Sequence, residues 1–395
     1  MVTEFQNARL AALIIVDDAL TIPLVLGRSL TELQIARVVS SGARHVVCLV
    51  RQVSSQLLGV ADHLRVNGLT IDIVRSVGDA ADAIHPDETV FLVASQVLIS
   101  TRTLTTLLDS GVSSLLCVAN TPASPQFEII DAAMRWSGYA LLDGTTLRRV
   151  AGMVGDWDAA STLLRLLVQE NARRVLLDGD QLADAMLVIR SDAEALSAGR
   201  KLLNDDIEEG DGLGSYWIGK PVSGFLARLG GELGLKSKII EYTAVGAAIL
   251  ATLVGLAGWL GFGLFILLMA FLAKAAATRL ASALGELNAS DALFRAIMRG
   301  AAVVIVGACA VTLASRTGQW GCLLLGGLLI GSQILIAQRR ALKSAIAKPN
   351  RWMSDALSTT IILLIGIAST LPVSGLFIAG AHAVGSYLWM QRPVS

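Results

Sequence analysis

Hydrophobic and polar positions follow different patterns in the two halves of the chain. Up to about residue 235, short apolar runs alternate with charged segments, whereas residues 239 to 391 hold long apolar runs with few charges. A helix needs about 20 consecutive apolar residues to cross the hydrocarbon core of a bilayer. The pattern therefore predicts a soluble first half and a membrane-spanning second half.

The first half is typical of alternating strands and helices. "RLAALIIVDD" and "ARHVVCLVR" have the composition of buried parallel strands, and "SLTELQIARVVSSG" between them has helical spacing and ends at Gly42. Further strand-like runs are "LTIDIVRS", "TVFLVAS", "SSLLCVAN" and "RRVLLD", and further helix-like runs are "ISTRTLTTLLDSG" and "WDAASTLLRLLVQENA". This order predicts an α/β domain with a mainly parallel sheet over residues 1–180.

Candidate ligand-binding residues follow two of these strands. Open α/β sheets bind ligands beyond the carboxyl ends of their strands, which favours Asp17, Asp18, Ser95 and Gln96. A solvated strand end is the alternative interpretation of the two aspartates. "GDGLG" at 210–214 follows no apolar strand and has neither the Walker nor the dinucleotide spacing, so it is interpreted as a linker.

The second half contains six apolar windows separated by turn residues. They cover about residues 240–258, 260–280, 297–314, 319–337, 355–371 and 373–391, with tight hairpins expected at "GWLGFG" and "STLPVSG". The windows predict an all-α, six-helix transmembrane domain over residues 239–395, joined to the first domain by a connector with juxtamembrane helices at 181–238.

Basic residues concentrate at one end of these windows, and Arg316 alone lies in the opposite loops. The basic end carries Lys236, Lys238, Lys274, Arg279, Arg295, Arg299, Arg339, Arg340, Lys343, Lys348, Arg351 and Arg392. Because cytoplasmic loops carry the positive charge, both termini and the soluble domain are expected in the cytoplasm, with the spans in a bacterial-type inner membrane. The first apolar run is too short for a signal sequence and is followed by acids.

The charge balance and the rare reactive side chains narrow the function further. Lys and Arg (32) equal Asp and Glu (32), so the chain has no overall positive field and a nucleic-acid partner is not expected. The four cysteines, which lack metal-site spacing, are expected to be reduced structural thiols. His382, within a span, is expected to pack between helices.

A cytoplasmic α/β domain, a connector and six spans together resemble a nucleotidyltransferase-like domain fused to a CDP-alcohol phosphotransferase. Bifunctional enzymes that combine inositol-phosphate cytidylyltransferase with phosphoinositol-phosphate synthase have this arrangement. In that family's connector, an Asp-Gly pair is followed by a basic residue, a Pro and a Ser. The matching positions in "DGLGSYWIGKPVS" are Asp211, Gly212, Lys220, Pro221 and Ser223.

The N-terminal segment carries the other part of the resemblance. "LIIVDDALTIPLVLGRSLTELQIARVVSSGARHVVCLV" is similar to the opening of sugar-nucleotide and inositol-phosphate nucleotidyltransferases. That family has a Gly-rich turn and a basic residue after its first strand, whereas this chain has "DDALTIP". Two carboxylates at that turn repel a triphosphate unless a metal intervenes. The family's metal-binding Asp corresponds here to Ser95 or Gln96.

"FLAKAAATRLASALGELNASDALFRAI", residues 271–297, aligns with the signature D-x2-D-G-x2-A-R-x8-G-x3-D-x3-D of CDP-alcohol phosphotransferases. In that family, four aspartates hold divalent metal against a pyrophosphate. The signature Arg matches Arg279, and its first two aspartates fall on Phe271 and Lys274. The remaining positions fall on Asn288, Ala292 and Ala296, or, with one residue deleted, on Leu287, Asp291 and Arg295.

The resemblance implies transfer of a substituted phosphate from a CDP-linked donor to an alcohol, in phospholipid or lipid-headgroup metabolism. It implies Mg²⁺ or Mn²⁺, but at most Asp291 remains as a catalytic carboxylate, which is too few oxygen ligands for a hard cation. Binding of phosphate is therefore expected without a metal, at Lys220, Ser223, Lys274, Arg279 and Arg295. The alternative interpretation of Lys274 is a cation that snorkels to water from a helix end.

Two other functions remain open on the sequence. One is a non-catalytic partner or scaffold for an active lipid-synthesis enzyme, with Gly326, Gly327 and Gly331 allowing close helix contact; the alternative is that these glycines pack helices within one chain. The resemblance implies a homodimer, a membrane lipid and a CDP-linked headgroup as partners. A solute transporter is less favoured, because the spans lack central ionisable residues apart from His382.

Overall fold

The computed structural model describes residues 9–16, 24–66, 68–94, 96–122, 124–153, 158–177, 185–205, 212–286, 292–343 and 351–391. The chain divides into two compact units, Met1–Gly199 with Leu284–Glu286, and Arg200–Ala283 with Leu287–Ser395. The first is called the α/β unit and the second the membrane unit. The residues of the expected connector from Arg200 onward belong to the membrane unit.

A mostly parallel sheet forms the centre of the α/β unit, as the sequence predicted. Its strands lie in the order β3-β2-β1-β4-β8-β6-β9, with β7 paired to β8. The pairs of β1 with β2 and β4, of β2 with β3, and of β6 with β9 are parallel. The strands are β1 (Leu10–Ile15), β2 (His45–Leu49), β3 (Thr70–Val74), β4 (Thr89–Val93), β6 (Ser114–Ala119), β7 (Glu128–Ile129), β8 (Met134–Asp143) and β9 (Arg173–Leu177).

The long strand β8 runs antiparallel to both of its neighbours, β4 and β6. Gly138 lies in its middle with φ +89°, a conformation that costs glycine little, and the pairing with β6 shifts register between Leu115 and Cys117. A separate two-stranded ribbon pairs β5 (Val97–Ile99) with β10 (Met186–Val188). The sheet is therefore mixed: β8 separates the parallel strands β1 to β4 from the parallel pair of β6 with β9.

Helices cover both faces of this sheet. Along β1, Ala12 and Ile14 belong to a core with α1, α2 and α4, whereas Ala11 and Leu13 belong to a core with α3, α5 and α6. The helices are α1 (Leu30–Ser40), α2 (Ser55–Val66), α3 (Val77–Ala83), α4 (Thr101–Asp109), α5 (Gly144–Ala151), α6 (Ala159–Gln169) and α7 (Asp192–Asp205). Burial on both faces explains why the strands are almost wholly apolar.

The four cysteines are buried free thiols. Burial raises the pKa of the Cys48 thiol to about 12 and that of the Cys117 thiol to about 11. A thiol with so high a pKa is protonated and unreactive at neutral pH. Cys48 and Cys117 therefore pack as small apolar side chains.

In the part of the membrane unit described from residue 212 onward, a π-helical turn, Ser215–Gly219, continues into an amphipathic helix. Longer helices follow it, and most of their outward-facing side chains are apolar, such as Leu253 and Phe265. The helices are α8 (Lys220–Glu232), α9 (Ser237–Leu256), α10 (Leu260–Ala283), α11 (Ala292–Thr317), α12 (Gly321–Lys343), α13 (Ala356–Ala368) and α14 (Pro372–Met390). Apolar side chains exposed on this scale indicate a surface that faces lipid.

Within the described residues of this unit, five helices have the length and composition to cross a membrane: Ser237–Leu256, Leu260–Ala283, Leu293–Thr317, Gly321–Arg340 and Pro372–Met390. The expected count of six spans is not confirmed, because the window at 355–371 forms only Ala356–Ala368, of 13 residues. Such a helix is about 20 Å long, less than the hydrocarbon core. Asp355 caps its first turn, and the chain turns at Thr370 before Pro372.

The two expected tight hairpins join α9 to α10 and α13 to α14. In the second, a Cβ on Gly366 would lie 2.8 Å from the Cα of Gly375, so only glycine allows these helices to approach this closely. In the first, a Cβ on Gly263 would lie 2.9 Å from the carbonyl oxygen of Ala251. Small residues at such contacts let helix backbones meet in an apolar environment.

Candidate phosphate-binding site

The side chain of Asp355 holds residues 214 and 215, within the expected connector, against the start of α13. Its Oδ2 accepts a hydrogen bond from the N–H of Ser215 at 2.7 Å, and its Oδ1 accepts from the N–H of Gly214 at 3.3 Å and of Ser358 at 2.7 Å. A Cβ on Gly212 would lie 2.6 Å from this side chain, and Gly212 has φ +143°. The carboxylate therefore caps two helical segments at once.

Three of the predicted phosphate-binding residues, Lys220, Ser223 and Arg279, come together at the first turn of α8. Arg279, on α10, donates from Nη1 to the carbonyl oxygen of Lys220 at 2.6 Å, and the buried hydroxyl of Ser223 donates to the same oxygen at 3.4 Å. Gly224 leaves room for the guanidinium, since a Cβ there would be 2.9 Å from Arg279 Nη1. The contact fixes Arg279 beside the backbone of Lys220.

The aromatic ring of Tyr216 lies close to two cationic side chains at this end of α8. The Cζ atom of Arg351 lies 4.6 Å from the centre of the Tyr216 ring, and Nζ of Lys220 lies 5.7 Å from it. Cations are attracted to the face of an aromatic ring, so the ring helps to hold two like charges in one place. Lys220, Arg279 and Arg351 thus form a cationic group suited to an anion.

Lys274, at a position that the resemblance assigns to a metal-binding Asp, has a different environment. Its ammonium group forms an ion pair with the carboxylate of Glu241 on α9, and both side chains are largely buried. Glu241 therefore compensates the charge of Lys274 between the two helices. An ammonium group has no lone pair to offer a metal, so Lys274 cannot act as the ligand that the resemblance places at this position.

The other predicted residues are not part of this group or lie outside the described residues. Arg295 is in the first turn of α11 with an exposed side chain, and Asp291 lies outside the described residues. Among the described residues, no group of three or more His, Cys, Asp or Glu could hold a metal ion. The Mg²⁺ or Mn²⁺ implied by the resemblance therefore does not fit the described residues.

A separate cleft of about 780 Å³ opens in the α/β unit at the carboxyl ends of the parallel strands. Gln96 lines it, at the edge of the sheet where a ligand was expected, whereas Asp17, Asp18 and Ser95 lie outside the described residues. Residues after strands β2, β3 and β10 add three guanidinium groups to its walls: Arg51, Arg75 and Arg190. These cations make the cleft suited to a negatively charged ligand.

Sequence reasoning missed Glu241, Asp355 and these arginines. Glu241 is the one acid within Ser237–Leu256, and Asp355 precedes an apolar run with Ser358 three residues later, a capping-box spacing. Arg51, Arg75 and Arg190 each follow a strand by one or two residues. Each of these residues stands in a recognisable sequence pattern. The sequence does not show which residues it contacts.

No family model matches the chain, and no curated protein matches it. The chain is similar to the crystal structure of 4-diphosphocytidyl-2C-methyl-D-erythritol synthase from Anaerococcus prevotii DSM 20548, with a TM-score of 0.38 and 13% identity over 49% of this chain and 98% of that one. A second structure of a synthase of this name has a TM-score of 0.30 and 14% identity, over 44% and 92% of the two chains. The α/β architecture of this chain is defined by its own strand order.

Proposed function

We propose that this protein works in phospholipid or lipid-headgroup metabolism as a membrane protein of CDP-alcohol phosphotransferase type that binds a phosphate-bearing headgroup without turning it over. The observation that carries the proposal is the cationic group of Lys220, Arg279 and Arg351 at the start of α8. Phosphate oxygens accept charge-assisted hydrogen bonds from such cations.

Binding without turnover follows from the ion pair of Lys274 with Glu241. Cleavage of a pyrophosphate develops negative charge that a metal or cationic clamp must stabilise. Lys274 occupies the position where the resemblance requires a metal ligand, and its charge is already compensated by Glu241. In this proposal the membrane unit binds the phosphate group of the ligand electrostatically. Transfer of that phosphate to an alcohol requires another protein.

The turnover part is tested by measuring CMP release from a CDP-linked lipid with the full-length protein in lipid nanodiscs. We expect no release above background with Mg²⁺ or Mn²⁺. Metal-dependent release that is abolished in Asp291→Asn would show that the protein is an active transferase and would overturn the proposal of binding alone.

The binding part is tested with the same nanodiscs by titrating a CDP-linked lipid and measuring its retention. Lys220→Gln removes the ammonium group but keeps the carbonyl that Arg279 contacts, so we expect affinity to fall by about tenfold. The matched control is Lys238→Gln, an exposed lysine at the start of α9. Equal affinity in wild type and Lys220→Gln, or equal losses in the two variants, would contradict the assignment.

A scaffold that pairs with another chain is the second candidate function, and it is favoured by α12. A Cβ on Gly326 would lie 2.6 Å from the Cβ of Ala310, so that glycine packs within the chain. Gly327 and Gly331, four residues apart, have open space where a Cβ would be. This spacing allows close approach of a second helix, including that of a second copy.

Pairing is tested by the dimer fraction in bilayers, counted by single-molecule photobleaching. We expect the double variant Gly327→Leu with Gly331→Leu to lower that fraction, whereas Gly307→Leu, at another open glycine, leaves it unchanged. A monomeric wild type, or a dimer fraction equal in all three proteins, would rule out this face as the contact.

A further inference from the structure

A groove of about 540 Å³ opens at the end of the membrane helices opposite most of the basic loops. The turn between α9 and α10, one side of α11, and the ends of α13 and α14 that face each other form its walls. This volume lies within the range of pockets that hold small ligands. None of the expected phosphate-binding residues lines the groove.

The groove is apolar inside and open to the lipid-facing surface. Cys309 and Leu363 are buried at 2% and 3% exposure, whereas Trp259 and Phe262 at the rim are 66% and 63% exposed. The two rim rings meet edge to face with their centres 6.0 Å apart. An apolar groove left empty forfeits dispersion contacts, so within a bilayer an acyl chain is its natural occupant.

Arg316 supplies the polar end of the groove. It is exposed, and it is the one Lys or Arg in the loops at this end of the spans. The segments that form the groove, residues 258–262, 309–316 and 363–372, contain no Asp or Glu. Arg316 thus places a guanidinium group where the apolar groove meets the membrane–water interface. Because those segments contain no acid, this cation is suited to an anionic lipid headgroup.

We propose that this groove binds one anionic phospholipid, with an acyl chain along Cys309 and Leu363 and the headgroup phosphate at Arg316. Thr312 and Thr370 also line the groove and add hydroxyl groups to its wall. Such a lipid fills the gap between the two helical hairpins and α11. The site is independent of the cationic group at α8, which lies at the opposite ends of the helices.

Selectivity for anionic lipid must come from Arg316. An acyl chain gains little by leaving bilayer lipid for another apolar surface, so chain contacts do not distinguish one phospholipid from another. A zwitterionic headgroup carries its own cation beside the phosphate, whereas an anionic one does not. The headgroup charge therefore decides which lipid stays.

The proposal is tested with full-length protein in nanodiscs of equal phosphatidylcholine and phosphatidylglycerol, followed by native mass spectrometry of the released protein. We expect one retained phosphatidylglycerol per chain, enriched about threefold over phosphatidylcholine, as an exposed charge interaction predicts. Arg316→Gln should bring the ratio to that of the surrounding bilayer, and Arg316→Lys should keep most of the enrichment.

A second pair of variants separates the groove from the general lipid-facing surface. Thr312→Trp fills the groove and should abolish retention, whereas Val311→Trp adds the same bulk at a neighbouring exposed position outside the lining and should not. Arg299→Gln, near the basic end, controls for overall charge. The proposal is overturned by equal retention of both lipids, by enrichment that survives Arg316→Gln, or by equal loss in Arg299→Gln.

Discussion

The carboxylate of Asp355 accepts a 2.7 Å hydrogen bond from the backbone N–H of Ser215, a residue 140 positions earlier in the chain. The same side chain caps the first turn of α13 through the N–H of Ser358. One buried acid thus fixes the π-helical turn that leads into α8, and α8 carries Lys220. The position of the cationic group depends on this contact.

Removing the carboxylate should therefore destabilise the membrane unit more than the loss of an ordinary helix cap. In Asp355→Ala, the N–H groups of Ser215 and Ser358 lose a buried acceptor, and we expect the free energy of unfolding to fall by about 3 kcal/mol. The control is Asp158→Ala, an exposed cap of α6 that accepts from Ser161, with an expected loss of about 1 kcal/mol. Denaturant titration in detergent measures both; similar losses would contradict the double role of Asp355.

The ion pair of Lys274 with Glu241 gives a second prediction, because each charge is buried with the other. Glu241→Gln or Lys274→Met alone leaves an unpaired charge between α9 and α10, and we expect each to destabilise the protein by about 3 kcal/mol. The double variant removes both charges and should recover most of that loss. Thermal unfolding of the three variants gives the coupling energy.

The double variant also reports on ligand binding. If Lys274 serves only to pair with Glu241, the double variant should bind a CDP-linked lipid with the same affinity as wild type. Loss of binding in a double variant of normal stability would show that Lys274 contacts the ligand, as the sequence predicted. Additive losses of stability in the two single variants would show instead that the pair is not coupled.

The elements predicted from sequence are those whose signal is local. Strands β1, β2, β4 and β6 are apolar runs buried on both faces, and α1 has helical spacing with a capping box at Ser29 and Glu32. Strand β8 was missed, since "MRWSGYALLD" has polar residues among its first four positions and Gly138 in its middle. Its place in the sheet is set by pairing with β4 and β6, which a linear pattern does not contain.

The candidate site was predicted only in part, for the same physical reason. Lys220, Ser223 and Arg279 were named from motif positions, and they do meet at one carbonyl oxygen. Glu241, which pairs with Lys274, and Asp355, which holds the turn before Lys220, are brought to their partners by helix packing across 33 and 140 residues. A sequence pattern carries no record of such distances, so the pairing of Lys274 could not be foreseen.

Two glycines in the α/β unit should respond in opposite directions to the same substitution. A Cβ on Gly144 would lie 2.2 Å from the carbonyl oxygen of His85, so Gly144→Ala must move backbone and should cost about 2 kcal/mol. Gly59, inside α2, has nothing within 4 Å, and Gly59→Ala should stabilise by about 0.5 kcal/mol. Unfolding monitored by the α/β unit's Trp136 checks both signs; a stabilised Gly144→Ala would contradict the packing of α5.

Asp143, the cap of α5, should make the stability of that helix depend on pH. Although partial burial acts to raise it, hydrogen bonds from Thr145 and Thr146 and the charge of Arg149 lower the pKa of this carboxyl below its usual value. A lowered folded pKa stabilises the folded state above the unfolded pKa, about 3.9, and that stabilisation is lost as the pH falls through the folded value.

We therefore expect Asp143→Asn to be less stable than wild type at neutral pH and the gap to close in acid, because Asn also caps helices. Amide exchange at Thr146, compared between the two proteins at each pH, measures the gap. A difference that stays constant from neutral pH down to about pH 3 would show that the ionised carboxylate is not what stabilises α5.

The arginines of the α/β cleft test whether that unit binds a nucleotide. Arg75 and Arg190 line the cleft at the carboxyl edge of the sheet, where a triphosphate would find cations in place of the missing Gly-rich turn. Asp17 and Asp18 were expected to repel a triphosphate, and the guanidinium groups of the cleft oppose that repulsion. We therefore expect CTP to bind the full-length protein, and Arg75→Gln or Arg190→Gln to weaken binding by about tenfold each. Arg102→Gln, on α4 outside the cleft lining, is the control. Isothermal titration calorimetry measures the affinity for CTP of the wild type and the three variants. No detectable binding, or equal affinities in all four proteins, would show that the arginines of the cleft do not bind a nucleotide.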